Sequence, residues 1–267
     1  MTQDEAEYLC SASSALDFKY LDGEQADSAE LVTEIALSIS YQGINHAVMM
    51  VTPVALDDFI LGFSLSESII SSAASLKDID YQVTEMGIEA NVTIHERDFS
   101  QLKRQRRQLS GRSGCGICGL EALENLLIPA APVAKSALPD LRVLTDLAPK
   151  LREWQQYGKI SGALHGAFFV SHCGVIKVCR EDVGRHNALD KLLGHLIVTK
   201  CEPGAGFIVM TSRCSYELIQ KIARTGFSTL VCLSAPTNLA VSWAEKHNIN
   251  LLHLTKHDAP RVYHRGV

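Results

Sequence analysis

Three consecutive segments decide the fold of this chain: Gly206-Phe-Ile-Val-Met-Thr211, Tyr216-Glu-Leu-Ile-Gln-Lys-Ile-Ala-Arg-Thr225 and Thr229-Leu-Val-Cys-Leu233. The first and the third are short apolar runs, which are typical of buried strands, and the second has apolar residues at helical spacing. A strand, a helix and a second strand in this order indicate two parallel strands joined by a helical crossover. The segments therefore predict an α/β arrangement in which helices cover a sheet.

The same alternation extends outward from this unit in both directions. The further elements that it predicts are a helix over Leu144–Tyr157, strands over Ala163–Ser171 and Val175–Cys179, a helix over Asn187–Leu196, a helix over Asn238–Lys246 and a strand over Asn250–Leu254. Strands that alternate with helices of about ten residues indicate parallel pairs joined by crossovers. We therefore expect one α/β domain over residues 140–267.

The N-terminal half predicts a smaller α+β domain. Two hairpins are expected, one turning around Gln42–Asn45 and one at Met86-Gly87, and Thr52-Pro53 predicts the N-cap and first residue of a helix between them. The predicted organisation is a loose leader over residues 1–28, the α+β domain over 29–100, a basic and glycine-rich reactive loop with a short helix and a linker over 101–139, and the α/β domain over 140–267.

The composition excludes several classes of protein. The net charge is -5, whereas general nucleic-acid-binding domains are basic. No apolar run approaches the roughly 18 residues that a membrane-spanning helix needs. The first residues are acidic, and a signal peptide would open with a basic and then an apolar segment. We therefore expect a cytoplasmic protein that binds neither nucleic acid nor a membrane.

The strongest chemical signal is the loop Ser110-Gly-Arg-Ser-Gly-Cys-Gly-Ile-Cys-Gly119. The chain has eight cysteines, which in a reducing compartment are not expected to form disulfides, and only Cys115 and Cys118 have a spacing that implies chemistry. A thiol is a nucleophile only as a thiolate. The upstream basic run Lys103–Arg107 and the positive end of a short predicted helix behind the loop would both lower the thiol pKa. The loop therefore predicts a reactive cysteine.

Other interpretations of the cysteine pair remain open. A structural zinc site needs four ligands, and this chain has a single C-x-x-C. A thioredoxin-like dithiol would lie at a strand-to-helix turn, whereas this pair follows a basic, irregular segment. An inert structural turn would not need the surrounding glycines. Zinc-dependent deamination is excluded, because Ala167 follows His165 at the position where those enzymes carry a glutamate.

Four motifs extend the pattern along the chain. They are Gly114-Cys-Gly-Ile-Cys-Gly119, Arg180-Glu-Asp-Val-Gly-Arg-His-Asn-Ala-Leu-Asp-Lys191, Thr211-Ser-Arg-Cys-Ser-Tyr-Glu-Leu-Ile-Gln-Lys221 and Leu233-Ser-Ala-Pro-Thr-Asn-Leu-Ala240. With these motifs in this order, the chain resembles the FdhD family, the sulfur-carrier proteins required for formate dehydrogenase activity. The resemblance covers nearly the whole chain, from about Glu34 to Tyr263.

The resemblance implies a fold, a reaction and a set of partners. The C-terminal domain would have the fold of cytidine deaminases, and the protein would be a homodimer without a tightly bound metal of its own. It would accept sulfur from a cysteine desulfurase as a persulfide and pass it to the molybdenum of bis-molybdopterin guanine dinucleotide, which is then inserted into formate dehydrogenase. Cys115 matches the persulfide-bearing cysteine of the family, and Cys118 matches its partner.

The resemblance also implies a cofactor-binding segment after the last predicted strand. Its residues are Leu254, Thr255, Lys256, His257, Asp258 and Ala259. The segment is less glycine-rich and less basic than is usual in the family. Because Asp258 would repel a phosphate, we expect Lys256 and main-chain amides to be the ligands.

Two predicted helix starts are further candidates for binding the cofactor. Arg185 and Arg213 lie at or just before helix N-termini, where free main-chain amides bind anions. Ordinary capping by Asn187 and Ser215 is the alternative at these positions. For His165 and His186, a structural role and a functional role are both open.

Two other functions remain beside the sulfur carrier. A non-catalytic chaperone would bind and deliver the molybdenum cofactor while the cysteines serve only docking. A dithiol oxidoreductase would reduce a disulfide substrate. Replacement of Cys115 separates the first alternative from the carrier, because a chaperone would not need that thiol.

Overall fold

The computed structural model describes residues 11–21, 26–110, 131–256 and 258–266. The predicted reactive loop with Cys115 and Cys118, the short helix behind it and His257 therefore lie outside the described residues. The described part has a mixed α/β fold with three sheets. We call residues 26–110 the N-terminal half and residues 131–266 the C-terminal half.

The N-terminal half is built on a four-stranded sheet. The elements up to residue 110 are strands β1 Ser13–Lys19, β2 Ala26–Val32, β3 Ile35–Tyr41, β4 Ile44–Val51, β5 Leu76–Thr84 and β6 Gly87–Ile94, helices α1 Leu56–Ser66 and α2 Glu96–Ser110, and a 3-10 turn at Ala73–Ser75. The sheet order is β4-β3-β6-β5. Burial alternates along β3, so that one face of the sheet packs against the apolar side of α1. The two predicted hairpins, β3–β4 and β5–β6, are confirmed.

Two elements before residue 111 differ from the sequence prediction. Part of the expected loose leader is strand, because β1 pairs antiparallel with β2 from Ser13↔Val32 to Lys19↔Ala26. The basic run that was expected in a loop lies on α2, whose Phe99 and Leu102 are buried in the core of this half. Two apolar anchors on one side are enough to hold an otherwise polar helix in place.

The predicted N-cap at Thr52 is wrong. Helix α1 begins at Leu56, after Ala55 in the left-handed conformation, and not at Pro53. The main-chain N–H of Thr52 donates to Oδ2 of Asp182 at 3.0 Å, and its hydroxyl accepts from the N–H of Val183 at 3.3 Å. A contact between the two halves has thus replaced the local cap.

The C-terminal half is a six-stranded mixed sheet between helices. Its elements are strands β7 His165–Ser171, β8 Ile176–Asp182, β9 Gly206–Met210, β10 Thr229–Cys232, β11 Asn250–His253 and β12 Arg261–His264, helices α3 Leu141–Thr145, α4 Leu147–Trp154, α5 Gly158–Ser161, α6 Arg185–Val198, α7 Tyr216–Thr225 and α8 Asn238–Lys246, and a 3-10 turn at Pro203–Ala205. The helices α6, α7 and α8 cover one face, and α3 and α4 cover the other.

The strand directions confirm the predicted crossovers in part. The sheet order is β12-β11-β10-β9-β7-β8, and β10 pairs in parallel with both β9 and β11. Strand β7 is antiparallel to its two neighbours, β8 and β9, so those pairs are not the expected parallel ones. As a result β8, β9, β10 and β11 all point the same way. We call the side of the sheet where these four strands end the carboxyl edge.

The segment that was expected to be a linker before residue 140 is packed against the C-terminal half. Val133 is buried, and its main-chain N–H donates to the carbonyl of His247 at 3.0 Å. Asn250 donates through Nδ2 to the carbonyl of Ser136 at 3.1 Å. The described residues of this segment therefore belong to the sheet domain, because its extended backbone finds partners there. The other domain limits stay predictions.

The two halves meet where α1 crosses α6. Gly62 of α1 and Gly194 of α6 lie at the crossing, and a Cβ atom at either position would overlap the backbone of the opposite helix. The helices therefore touch main chain to main chain.

In the described ranges we find no helix with the length and apolarity that a membrane crossing requires.

Candidate functional site

The carboxyl edge brings together the three sequence motifs that lie in the described residues. Strand β8 ends at Asp182 and leads to Arg185, the first residue of α6, and β9 leads to Arg213 before α7. Strand β10 leads to the motif that begins at Leu233, and β11 leads to the segment 254–259. Carboxyl ends of parallel strands in open α/β sheets are the usual place for ligands. The predicted cofactor-binding residues therefore share one side of the sheet.

Helix α6 starts without a side-chain cap. Its N-cap residue is Gly184, and Asn187, the cap that the sequence suggested, donates instead to the carbonyl of Met50 at 2.8 Å and to Asp182 at 2.9 Å. Arg185 is partly buried, and within the described ranges its buried Nε has no hydrogen-bond partner. A free helix N-terminus and an unpaired guanidinium nitrogen both favour an anion at this position.

Helix α7 also starts without a side-chain cap. Ser215 is the N-cap residue, but its hydroxyl faces His186 and Glu217 rather than the amides of the first turn. Helix α8 shows the contrast, because Oγ1 of Thr237 accepts from the N–H of Ala240 at 3.1 Å. The exposed Arg213 precedes α7. Two neighbouring helices therefore present uncapped amides, each beside an arginine.

His165 joins the two arginines into one electrostatic group. It opens β7, and its Cα pairs with that of Asp182 at the end of β8. Burial and the charge of Arg185 lower the pKa of His165, Asp182 opposes this shift, and Arg213 adds to it. The imidazole is therefore neutral at neutral pH. The sequence left the role of this histidine open, and the structure places it within electrostatic range of both arginines.

The segment after β11 contributes less than the resemblance implied. Leu254 is buried in the core, so its side chain is not available to a ligand. The hydroxyl of Thr255 accepts from the N–H of Asp258 at 3.0 Å and closes a turn. Asp258 forms an exposed ion pair with Arg261 at 2.9 Å, which offsets the repulsion that we expected from its carboxylate. Lys256 is exposed, as is Ala259.

The structure adds buried charges that sequence reasoning missed. Asp182 is fully buried and accepts from the main-chain N–H of Thr52 and Gly184 at 3.0 and 2.8 Å, and it pairs with Nζ of Lys191 at 2.6 Å. These contacts tie the first turn of α6 to the N-terminal half. Asp182 and Lys191 both belong to the motif Arg180–Lys191, but a single sequence does not show that two charged residues are buried and paired with each other.

A second charged cluster connects α6, α7 and the end of α1. Nζ of Lys221 pairs with Glu67 at 2.6 Å and with the buried Asp190 at 2.9 Å, and it donates to the hydroxyl of Ser66 at 2.9 Å. Burial opposes the charge of Lys221, but Asp190 and Glu67 raise its pKa. The cation is therefore retained, and it holds three elements together.

Three of the described cysteines, Cys179, Cys214 and Cys232, are poor candidates for the same chemistry, because they are largely or fully buried. Cys214 and Cys232 are fully buried, and the side-chain contact with Cys214 together with burial raises the pKa of Cys232. Burial also raises the pKa of Cys179. Cys173 is exposed on the turn between β7 and β8. Among the residues that the structure describes, no group of three histidine, cysteine or acidic side chains could hold a metal ion.

Comparison with known proteins identifies the family. The FdhD/NarQ family profile matches residues 32–266. The chain is 42% identical over 234 residues to a Cupriavidus necator protein named sulfur carrier protein FdhD, which covers 88% of this chain and 81% of the relative. It is 40% identical over 234 residues to the protein of that name from Acinetobacter baylyi, which covers 87% of this chain and 85% of the relative.

The fold has a counterpart among solved structures. A crystal structure described as a formate dehydrogenase accessory protein from Desulfotalea psychrophila superposes with a TM-score of 0.72 at 20% identity. The superposition covers 95% of this chain and 97% of that chain. At this identity the likeness shows the fold alone, whereas the sequence matches confirm the resemblance that the four motifs predicted. The chain therefore belongs to the FdhD/NarQ family.

Proposed function

We propose that this protein is a sulfur carrier that moves persulfide sulfur from a cysteine desulfurase to a molybdenum cofactor destined for formate dehydrogenase. The observation that carries the proposal is the family membership over residues 32–266, a range that includes the C-x-x-C loop. Relatives at about this level of identity are named sulfur carriers. A cytoplasmic location, a homodimer and the cytidine-deaminase type of the C-terminal sheet are parts of the same proposal.

Loading of the carrier requires a thiolate at Cys115. This thiolate attacks the outer sulfur of the desulfurase persulfide, the sulfur–sulfur bond of the desulfurase breaks, and its cysteine leaves as a thiolate. The product is a persulfide on Cys115, so one sulfur atom has changed carrier without net oxidation.

Release can use the second cysteine of the loop. The Cys118 thiolate attacks Sγ of Cys115, a disulfide forms between the two residues, and hydrosulfide leaves towards molybdenum with the electron pair of the broken bond. A cellular dithiol then reduces the disulfide and restores both thiols. The spacing of the pair allows this step, because two residues separate the cysteines.

The substrate that receives the sulfur is bis-molybdopterin guanine dinucleotide, whose pyrophosphates need donors and positive charge. The carboxyl edge offers both, since Arg185 and Arg213 stand beside two uncapped helix N-termini. Lys256 and the amides of residues 255–259 lie after the neighbouring strand β11. The support for this assignment is the convergence of separate motifs on one side of the sheet.

Replacement of the reactive cysteine tests the proposal. After incubation with a cysteine desulfurase and L-cysteine, we expect the intact mass of the wild-type protein to rise by one sulfur atom that a reductant removes. Cys115→Ala should not gain this atom and should not support formate dehydrogenase activity, but it should still bind nucleotide. Cys173→Ala, which removes an exposed thiol elsewhere, is the control and should load normally.

The same variant decides between the carrier and the cofactor chaperone. The chaperone is favoured by one observation, because the two arginines of the carboxyl edge lie outside the C-x-x-C loop in the sequence. If Cys115→Ala retained both nucleotide binding and formate dehydrogenase activity, the chaperone would be correct and the carrier wrong. Sulfur found on another cysteine would also contradict the assignment.

Arg213→Ala tests the carboxyl edge. We expect this variant to bind guanosine diphosphate about tenfold more weakly or worse, because a charged hydrogen bond to phosphate contributes roughly 1.5–3 kcal/mol. Isothermal titration calorimetry measures the affinity, and circular dichroism checks the fold. Arg152→Ala is the matched control, because Arg152 is exposed on α4 at the other face of the sheet. Unchanged affinity of Arg213→Ala would remove this residue from the site.

A further inference from the structure

A run of positive charge lies on α2, directly before the predicted reactive loop. Four of the five residues in Lys103–Arg107 are basic, although the net charge of the chain is -5. The sequence suggested an irregular segment here, in which the run would lower the pKa of the thiols. The structure places the run on a helix instead, and Phe99 and Leu102 fix that helix in the core of the N-terminal half. The run therefore has a defined position.

Three cations of α2 form a surface that we call the basic patch, namely Arg97, Lys103 and Arg104. Arg97 and Arg104 are exposed, and a spacing of seven residues (104 minus 97) puts them on one side of the helix, about 10 Å apart along its axis. Lys103 is adjacent to Arg104, and its Nζ lies 4.3 Å from the centre of the Phe99 ring. This contact orients the ammonium group but leaves its charge in place.

The charge of the basic patch is not neutralised in the part of the chain that the structure describes. The lysine and arginine ion pairs found there are those of Arg180, Lys191, Lys221 and Arg261. The acidic residues of α2, Glu96 and Asp98, lie in its first turn, where they complement the positive end of the helix. The basic patch therefore presents net positive charge to solvent.

Helix stability does not account for this cluster of charge. Like charges three or four residues apart destabilise a helix, and Lys103 has Arg106 and Arg107 at these spacings. The helix dipole favours cations in the last turn, which begins at Arg107, because α2 ends at Ser110. Lys103 and Arg104 precede that turn. Their charge therefore indicates a role outside the helix itself.

The position of the basic patch suits contact with the sulfur donor. Loading of Cys115 requires its thiolate to touch the persulfide of the donor, so the donor must dock close to this cysteine. Cys115 follows the end of α2 by five residues, and a chain of that length spans at most about 18 Å. A protein that contacts the basic patch is therefore within reach of the cysteine.

We infer that the basic patch is the docking surface for the cysteine desulfurase, and that it binds an acidic surface next to the reactive cysteine of that enzyme. The inference rests on the proposed function, which supplies the desulfurase as sulfur donor. Complementary charges at such a surface accelerate the encounter of two proteins and fix their orientation.

Charge reversal tests the inference on the full-length protein. We expect Lys103→Glu combined with Arg104→Glu to associate with the desulfurase about tenfold or more slowly than the wild-type protein at low salt, and to gain sulfur correspondingly slowly. The difference should vanish near 1 M salt, where the screening length is about 3 Å. Lys150→Glu combined with Arg152→Glu is the matched control, because it makes the same change at two exposed residues of α4. Surface plasmon resonance and intact mass measure the two rates.

A second measurement separates docking from an effect on the thiol. Iodoacetamide carries no charge and reacts with the thiolate only, so its rate at Cys115, followed by peptide mass mapping, reports the thiol pKa. The pH profile of this reaction should be the same in the charge-reversed and wild-type proteins. A profile shifted to higher pH by enough to explain the slower loading would show that the run acts on the thiol and would overturn the docking surface.

The remaining outcomes distinguish the inference from the proposed function. If the wild-type protein gained no sulfur from the desulfurase, both would be overturned. If the charge-reversed protein loaded at the wild-type rate, or no more slowly than the α4 control, or if it lost affinity for formate dehydrogenase alone, only the docking surface would be overturned. The Tm of each variant is measured, and Arg104→Glu alone, at an exposed position, decides the matter if the double change lowers it.

Discussion

Gly62→Ala is expected to lower the free energy of unfolding by about 3 kcal/mol or more, because the added methyl group forces apart two helices that touch through their backbones. A Cβ at Gly62 would overlap the main-chain carbonyl of Asp190, and Gly194 of α6 meets α1 in the same way. Neither obstacle is the end of a side chain, so no rotamer change can relieve the overlap. Chemical unfolding in urea, followed by circular dichroism, measures the loss.

Gly204→Ala provides the matched control for the helix crossing. A Cβ at Gly204 would meet nothing within 4 Å, and the residue lies in the short turn Pro203–Ala205 away from the crossing. We expect its stability to stay within about 0.5 kcal/mol of the wild-type value, as is usual for surface substitutions. If Gly62→Ala were equally harmless, the close packing of α1 on α6 would be wrong.

The helix crossing also shows what a single sequence cannot reveal. Glycine inside a helix costs roughly 0.5–1 kcal/mol relative to alanine, so Gly62 and Gly194 could have been noticed as unfavourable choices. Their reason lies in a contact between residues 132 positions apart (194 minus 62), which only the folded structure supplies. The same limit applies to Thr52, whose local signal for a helix cap was overridden by a distant carboxylate.

Elements with strong local signals were predicted well. Helices α7 and α8 have the bounds that the sequence predicted, Tyr216–Thr225 and Asn238–Lys246, because apolar spacing marks their inner faces and Gly226 or Thr237 marks an end. Strand β12 was missed, since its exposed residues give no apolar run. Helix α2 was missed as well, because its charged residues outnumber its buried anchors.

The sequence located the two arginines of the candidate site in the fold, but it did not reveal the residues that hold their surroundings in place. Arg185 and Arg213 were placed correctly at helix starts, because the strand-to-helix pattern fixes those positions. The pairing of Asp182 with Lys191 could not be predicted, since each is a charged residue, and charged residues usually lie at the protein surface.

Asp182→Ala has the second large expected effect. Lys191 is fully buried, and its ammonium group pairs with Oδ2 of Asp182 at 2.6 Å while donating to the carbonyl of Thr52 at 2.8 Å. Removing the carboxylate leaves a buried charge without its counter-ion, which costs about 3–5 kcal/mol. The N–H groups of Thr52 and Gly184 lose their acceptor as well. We therefore expect a marked drop in the urea midpoint.

The stability defect of Asp182→Ala should depend on pH in a definite direction. Burial lowers the pKa of Lys191, and Asp182 opposes that shift in the wild-type protein. Without Asp182 the pKa falls further, so the folded state binds fewer protons than the unfolded state as the pH approaches the usual lysine range. Stability rises with pH under that condition. The difference between the urea midpoints of Asp182→Ala and of the wild-type protein should therefore be smaller at alkaline pH than at neutral pH.

A double substitution separates the missing counter-ion from a general loss of packing. In Asp182→Ala combined with Lys191→Met, no buried charge remains, and replacement of a buried ion pair by apolar groups is often close to neutral. We expect the double variant to recover most of the stability and to lose the pH dependence. Its affinity for guanosine diphosphate should be lower than that of the wild-type protein, because Asp182 also holds the N–H of Gly184 before Arg185. A double variant as unstable as Asp182→Ala would show that packing, rather than charge, explains the defect.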